Sequence, residues 1–128
     1  MKVLLDTHAV LWALANDPRL GKGARRIIEQ AEEGDLAISD MTLLEIALLS
    51  KRGRITLSGS LGELLDEVAG AFRILAISPA IAELAMTLRL KQADPFDRVI
   101  AASALHHELL LLSRDRHLAA SRQVNTLW

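Results

Sequence analysis

The sequence predicts an α/β fold with three layers, in which helices cover both faces of a mostly parallel five-stranded sheet. Short apolar runs alternate along the chain with segments of helical periodicity, which is typical of parallel strands joined by helices. The run at 109–112 is apolar at every position, as in a strand that is buried on both faces. Strands are predicted at 2–5, 36–39, 72–77, 109–112 and 124–128.

Helices are predicted between these strands from the spacing of apolar residues and from start and stop signals. Ser78-Pro79 and Asp94-Pro95 each combine a capping side chain with a proline at the first helical position. Asp40 is expected to cap the third helix. The predicted helices run from 7 to 17, 24 to 33, 40 to about 51, 61 to 69, 79 to about 88 and 94 to 107, with a loop or short ribbon at 53–57.

Length and composition limit the classes of protein that fit. With 128 residues, of which 51% are hydrophobic, we expect one domain spanning 1–128. The absence of cysteine excludes disulfides and thiolate metal sites. Asp6 ends the first apolar run too early for a signal peptide, and no run approaches the roughly 20 residues of a membrane span. We therefore expect a cytoplasmic protein without membrane contact.

The charge balance neither requires nor excludes a nucleic-acid partner. The net charge is −1, whereas nucleic-acid binders are usually basic overall. Local clusters of Lys and Arg occur at 22–26, 51–54 and 114–116. An ordinary solvated surface accounts for such clusters equally well.

Four acidic residues fall where a parallel sheet would bring them to one edge. Asp6 directly follows the first strand, and Asp115 lies just beyond the strand at 109–112. Glu45 lies in the first turns of the helix that follows the second strand, and Asp97 in the first turn of the helix that starts at Asp94. In such sheets, ligands bind at the carboxyl ends of the strands.

Three of these acids also have simple structural interpretations. Asp6 could cap the first helix, Asp97 could interact with a helix dipole, and Asp115 could be a turn residue. Glu45 differs because its neighbours in the segment 43–49 are all apolar and no Lys or Arg lies within a helical turn. An ionised carboxylate in apolar surroundings is costly unless it is paired or binds a cation. Oxygen ligands alone favour Mg²⁺ or Mn²⁺ over Zn²⁺.

The acids lie in four short motifs: LLDTHAVLW at 4–12, SDMTLLEI at 39–46, DPFDRVIAA at 94–102 and LSRD at 112–115. Together these motifs resemble the signature segments of PIN domains, and in particular the VapC branch, the ribonuclease toxins of bacterial toxin–antitoxin pairs. They occur in family order along the whole chain. The resemblance implies a metal-dependent endoribonuclease that hydrolyses RNA with Mg²⁺ or Mn²⁺, a protein antitoxin that blocks the site, and a homodimer formed through helices.

The resemblance also assigns residues. Asp6, Glu45, Asp97 and Asp115 match the acidic quartet, with Asp6 and Asp97 expected as direct metal ligands. Glu45 and Asp115 are expected to bind the metal through water or to orient the attacking water.

Further positions match accessory sites of the family. Thr7 and Ser113 match hydroxyl positions beside the metal, and Asp94 matches an additional acid that equally suits a helix cap. Arg98 is expected either to contact the scissile phosphate or to form a salt bridge with the acids. Asp40 departs from the pattern, where small residues are more usual.

Other classes of protein fit less well. A phosphorelay receiver domain needs an adjacent acidic pair after its first strand and a late lysine, but the chain has Asp6-Thr7 and no lysine after Lys91. A haloacid-dehalogenase phosphatase needs Asp-x-Asp where this chain has Asp6-x-His8. The remaining alternative is a catalytically inactive PIN-like module that binds RNA or protein. Trp12 is expected to serve in packing or at an interface.

Overall fold

The computed structural model describes residues 2–91 and 93–128. Within these ranges the chain forms twelve elements of secondary structure. In chain order they are β1 (Val3–Leu5), α1 (Thr7–Leu14), α2 (Lys22–Gln30), β2 (Leu36–Ser39), α3 (Asp40–Lys51), α4 (Leu61–Ala71), β3 (Arg73–Leu75), α5 (Pro79–Thr87), α6 (Pro95–His106), β4 (Leu110–Leu112), α7 (Arg116–Ser121) and β5 (Thr126–Leu127).

The five strands form one sheet in the order β3-β2-β1-β4-β5, and every neighbouring pair is parallel. The predicted mostly parallel sheet is thus confirmed. β1 is central, and the chain builds the sheet outward from β1 in both directions. The strand order therefore reverses between β1 and β4, which is where open α/β sheets form a crevice at their carboxyl edge. The edge strands are shorter than predicted, with β3 at Arg73–Leu75 and β5 at Thr126–Leu127.

Side chains of the strands alternate between two hydrophobic cores, one on each face of the sheet. Leu4, Ala37 and Leu111 pack with α5, α6 and α7. Leu5, Ile38 and Leu112 point to the other face and pack with α1, α2, α3 and α4. Because helices cover both faces of the sheet, the central strands are apolar at nearly every position. The predicted arrangement of three layers, with helices on both sides of the sheet, is confirmed. No helix among the described residues is long and apolar enough to span a membrane.

The start of α3 corrects one predicted cap. Ser39, which is fully buried, is the N-cap, and its hydroxyl accepts the backbone N–H of Met41 at 3.1 Å. Asp40 is the first helical residue instead, and its Oδ2 accepts the backbone N–H of Ile77 at 3.1 Å. Asp40 therefore ties the start of α3 to the segment after β3.

Helix α7 was absent from the sequence prediction. Asp115 is its N-cap rather than only a turn residue, and His117 is its second residue. The helix has six residues, which is less than two turns. A segment this short shows no readable apolar period, so the capping acid was its only signal.

The predicted salt bridge between Arg98 and the acids is wrong. The Arg98 guanidinium instead donates hydrogen bonds to three backbone oxygens, at 2.9–3.1 Å. They belong to Ala85, Leu88 and Leu90. These carbonyls lie at and beyond the C-terminal end of α5, where helix carbonyls lack partners within the helix. Arg98 thus ties α5 to α6, and it forms no ion pair within residues 2–91 and 93–128.

Candidate functional site

A cavity of about 350 Å³ opens at the carboxyl edge of the sheet, above the β1–β4 crevice. The residues that line it come from the end of β1, from α3, from the start of α6 and from the segment after β4. Helices that connect parallel strands run antiparallel to them, so the N-terminus of α6 also lies at this edge. The lining residues are Asp6, Thr7, His8, Glu45, Asp94, Asp97, Arg114 and Asp115.

The structure thus brings all four predicted acids, and Asp94 with them, to one cavity. Thr7 also lines it, whereas Arg98 does not. Ser113 is buried beneath the cavity, where its hydroxyl interacts with the Asp6 carboxylate and accepts the backbone N–H of Asp115 at 3.1 Å. The sequence did not single out Arg114 as part of this cavity.

Three of the acids are also helix caps. Asp6 Oδ1 accepts the N–H of Ala9, Asp94 Oδ1 accepts the N–H of Asp97, and Asp115 Oδ1 accepts the N–H of His117, each at 2.8 Å. Each cap bond uses one carboxylate oxygen and fixes the orientation of the group. The structural and the functional interpretations of these residues are therefore compatible, since an ionised carboxylate can accept several hydrogen bonds or bind a cation besides its cap bond.

Glu45 is held by a buried hydroxyl from α1. The Thr7 hydroxyl donates a short hydrogen bond to Glu45 Oε1, and the Thr42 hydroxyl lies 3.4 Å from that of Thr7. Thr7 is 2% exposed and Thr42 is fully buried. Burial raises the pKa of Glu45, and the Thr7 hydrogen bond opposes that shift. Thr42 was missed by the sequence analysis, although it lies three residues before Glu45 and so on the same helix face.

Burial, with repulsion between neighbouring carboxylates, raises the pKa of two further acids, Asp97 and Asp6. Burial raises the pKa of Asp97 to about 7, and repulsion from Asp94 and Glu45 adds to the shift. Burial also raises the pKa of Asp6, against a lowering by the Ser113 hydroxyl. No carboxylate of the cavity forms an ion pair with Lys or Arg in the described part of the chain. The cavity therefore holds a concentration of negative charge that the protein itself leaves largely unneutralised.

The donor set fits a hard divalent cation. Carboxylate and hydroxyl oxygens prevail in the cavity, as Mg²⁺ and Mn²⁺ prefer, and the sequence holds no cysteine. Within residues 2–91 and 93–128, however, no three acidic or imidazole side chains are placed to hold one ion together. The acids line the walls of the cavity, and their cap bonds and the Thr7 hydrogen bond keep them there.

Comparison with known proteins agrees with this fold. The family model described as PIN domain matches residues 3–122, so the chain belongs to the PIN-domain family. It is 35% identical over 129 residues to Ribonuclease VapC22 of Mycobacterium tuberculosis, and the match covers 98% of both chains.

Solved structures show the same architecture. A toxin–antitoxin complex from Klebsiella pneumoniae contains a chain that is 26% identical, with a TM-score of 0.68 and coverage of 96% of this chain and 95% of that one. FitAcB from Neisseria gonorrhoeae is 23% identical, with a TM-score of 0.72 and coverage of 98% and 96%. At 23% identity, the similarity to FitAcB shows a shared fold and nothing further.

The raised pKa of Asp97 predicts a pH-dependent stability. Its pKa of about 7 lies above the ordinary value of 3.8, so the folded chain binds more protons than the unfolded chain between these values. The stability that the folded chain gains by protonating Asp97 is fully present below about pH 4 and is lost as the pH rises to about 7. In EDTA at pH 8, Asp97→Asn should therefore melt several degrees above wild type. In a domain of this size, a change of about 1 kcal/mol in the free energy of unfolding shifts the melting temperature by roughly 3–5 °C. This advantage should shrink toward pH 4.

Thermal melting followed by circular dichroism at pH 4, 6 and 8 measures this difference. Asp97 is at the third position of α6, where the helix dipole favours a negative charge by about 0.3–1 kcal/mol. Asn loses that benefit, so a net gain at pH 8 requires that burial and repulsion outweigh it. Asp66→Asn, at an exposed position of α4, is the matched control. A melting difference that does not vary with pH would refute the assigned crowding.

Proposed function

We propose that residues 1–128 form one PIN domain that acts in the cytoplasm as a metal-dependent endoribonuclease, the toxin of a type II toxin–antitoxin pair. The observation that carries the proposal is the cavity, where four acids from four separate segments meet and, within residues 2–91 and 93–128, none of them forms an ion pair with Lys or Arg. Membership of the PIN-domain family and the likeness to a relative named as a ribonuclease support the same activity.

The proposed cofactor is Mg²⁺ or Mn²⁺. Asp6 and Asp97 would hold the ion directly, and Glu45 and Asp115 would act through water. When bound, such an ion lowers the pKa of a water molecule and offsets the negative charge that develops on the phosphate. The support from this chain is the oxygen donor set and the raised pKa values of Asp6, Glu45 and Asp97, whose ionised forms are disfavoured by burial and would be favoured by a bound cation.

The surrounding residues would keep the acids in place. The N–H of Ala9 fixes Asp6, and the Thr7 hydroxyl fixes Glu45 in surroundings that would otherwise favour its protonated form. Asp94 holds the backbone N–H of Asp97 and adds negative charge beside it. Fixed groups of this kind reduce the reorganisation needed when charge develops in the transition state.

The proposed reaction is hydrolysis. The oxygen of water forms a bond to phosphorus, the bond between phosphorus and O3′ breaks, and a proton passes to O3′. The products then carry a 5′-phosphate and a 3′-hydroxyl.

End-group analysis of the cleaved RNA tests this reaction. Wild type should yield 5′-phosphate and 3′-hydroxyl ends with Mg²⁺ or Mn²⁺ and no cleavage in EDTA. Asp6→Asn and Asp97→Asn should each lower the cleavage rate by at least about 100-fold, since loss of one group that acts in the transition state costs on the order of 10²–10³ in rate. Asp66→Asn should cleave at the wild-type rate.

A 2′,3′-cyclic phosphate would contradict the proposal, because it would mean attack by the ribose hydroxyl. No cleavage of any RNA with either metal would favour the alternative, an inactive PIN-like module that binds RNA or protein.

The proposed protein partner is an antitoxin that inserts a cationic side chain into the cavity. A guanidinium binds carboxylates bidentately, and the cavity offers several carboxylates that lack a cation of their own. The toxin–antitoxin complex from Klebsiella pneumoniae, similar in fold and sequence, supports a partner of this kind. The expected homodimer through helices stays a prediction, as does the cytoplasmic location.

Inhibition by the product of the neighbouring gene tests the partner. A stoichiometric amount should lower the RNA cleavage rate by at least about tenfold. Replacing an arginine of that product by glutamine should restore the rate if the guanidinium occupies the cavity. A rate that is unchanged in excess of the wild-type product would exclude it as the antitoxin.

A further inference from the structure

A second, larger concavity adjoins the acidic cavity. This groove, of about 690 Å³, is formed by α1, by the segment 54–60 and by the start of α4. It shares His8 and Arg114 with the acidic cavity, so the two form one continuous depression. Arg114 therefore lies at the junction, in reach of whatever occupies either side.

Arg114 is held against a buried indole. Its guanidinium carbon lies 4.5 Å from the ring centroid of Trp12, within the range of a cation–π interaction. Trp12 is 5% exposed and packs edge-on against Trp128 at 5.7 Å, so the indole is a fixed support. Stacking occupies one face of the guanidinium and leaves its N–H edge available to an anion.

A second arginine on the same indole is already committed. Arg19 lies 4.9 Å from the Trp12 centroid, and its guanidinium donates to both carboxylate oxygens of Asp17 at 3.0 and 2.8 Å. These hydrogen bonds lower the pKa of Asp17 to about 2. In the described part of the chain, the Arg114 guanidinium forms no hydrogen bond or ion pair. Arg114 is thus the stacked cation whose hydrogen-bonding edge is unused.

A substrate phosphate needs such a cation here. Four carboxylates repel a polyanion, and a nuclease must still hold RNA beside them. We propose that Arg114 binds the phosphate next to the one that is cleaved, and that the groove holds the RNA strand on that side of the cut. The inference rests on the proposed ribonuclease activity, and it adds the path of the substrate.

The remaining lining of the groove suits an RNA backbone. Arg54 and the hydroxyls of Thr56 and Ser58 lie along it and can donate to phosphate or ribose oxygens. The covered Trp12 offers no open face for base stacking. Glu63 and Glu67 also line the groove and would repel phosphates, so the phosphate contacts are assigned to Arg114 and Arg54. We expect the groove to contribute to RNA affinity mainly through electrostatic attraction, with little dependence on the RNA sequence.

RNA binding and cleavage by Arg114 variants test the proposal. Binding of a labelled single-stranded RNA is measured by anisotropy in an Asp97→Asn background with Mg²⁺, where cleavage is slow. Adding Arg114→Gln should raise Kd by roughly tenfold, and the slope of log K against log salt should fall by about 0.7, the value for one phosphate contact on a single strand. Arg114→Lys should recover part of the affinity, because it keeps the charge without the fork.

The matched control is Arg116→Gln, which removes the same charge from an exposed position two residues away. It should change neither Kd nor the salt slope. In cleavage assays of the otherwise wild-type protein, Arg114→Gln should raise KM by roughly tenfold and change kcat by less than about threefold. Equal melting temperatures of the two glutamine variants exclude a loss of fold.

The outcomes separate this inference from the proposed activity. If wild type cleaves RNA and Arg114→Gln leaves Kd, the salt slope and KM unchanged, the RNA path is wrong while the activity stands. If in addition Arg114→Gln abolishes binding of the protein partner, the groove belongs to that partner. If wild type cleaves no RNA, the proposed activity fails, and the binding measurement still decides whether Arg114 contacts RNA.

Discussion

The burial and crowding of carboxylates at the carboxyl edge of the sheet form the constraint around which this structure is organised. The parallel topology places the ends of β1 and β4 and the starts of α3 and α6 at one edge, and each delivers an acid. Burial then raises the pKa of Asp6, Glu45 and Asp97, so the site works against the stability of the folded chain at neutral pH. Such a cost is typical of functional sites, where perturbed groups are concentrated.

The local structure limits this cost by giving the same residues a second role. Asp6, Asp94 and Asp115 cap α1, α6 and α7 through one oxygen each, so part of the repulsion is offset by hydrogen bonds to backbone N–H groups. An N-cap contributes about 1 kcal/mol relative to alanine. Glu45 lies inside its helix and has no cap role. Its support is the buried Thr7 hydroxyl, which ties α1 to α3.

The sequence predicted most of this architecture because the relevant signals are local. Buried strands, proline-started helices and acids after strands can all be read from neighbouring residues, and they led to the sheet and to the acids of the cavity. Contacts between distant segments could not be read in this way. Arg98 meets carbonyls of α5 that only the packing of α5 on α6 brings near, and Thr42 reaches Thr7 only across the α1–α3 contact. Arg114 likewise depends on Trp12, about one hundred residues earlier in the chain.

A melting titration with Mg²⁺ or Mn²⁺ at neutral pH measures whether the acidic cavity binds a divalent cation. A cation that binds only the folded chain stabilises it by RT ln(1 + [M]/Kd), or about 2.7 kcal/mol at 100 times Kd. The melting temperature of wild type should therefore rise with the logarithm of metal concentration, by roughly 8–14 °C at that point. The Asp6→Asn, Asp97→Asn double variant should respond weakly. A wild-type melting temperature that does not move with either metal, or a double variant that responds as wild type does, would contradict the account.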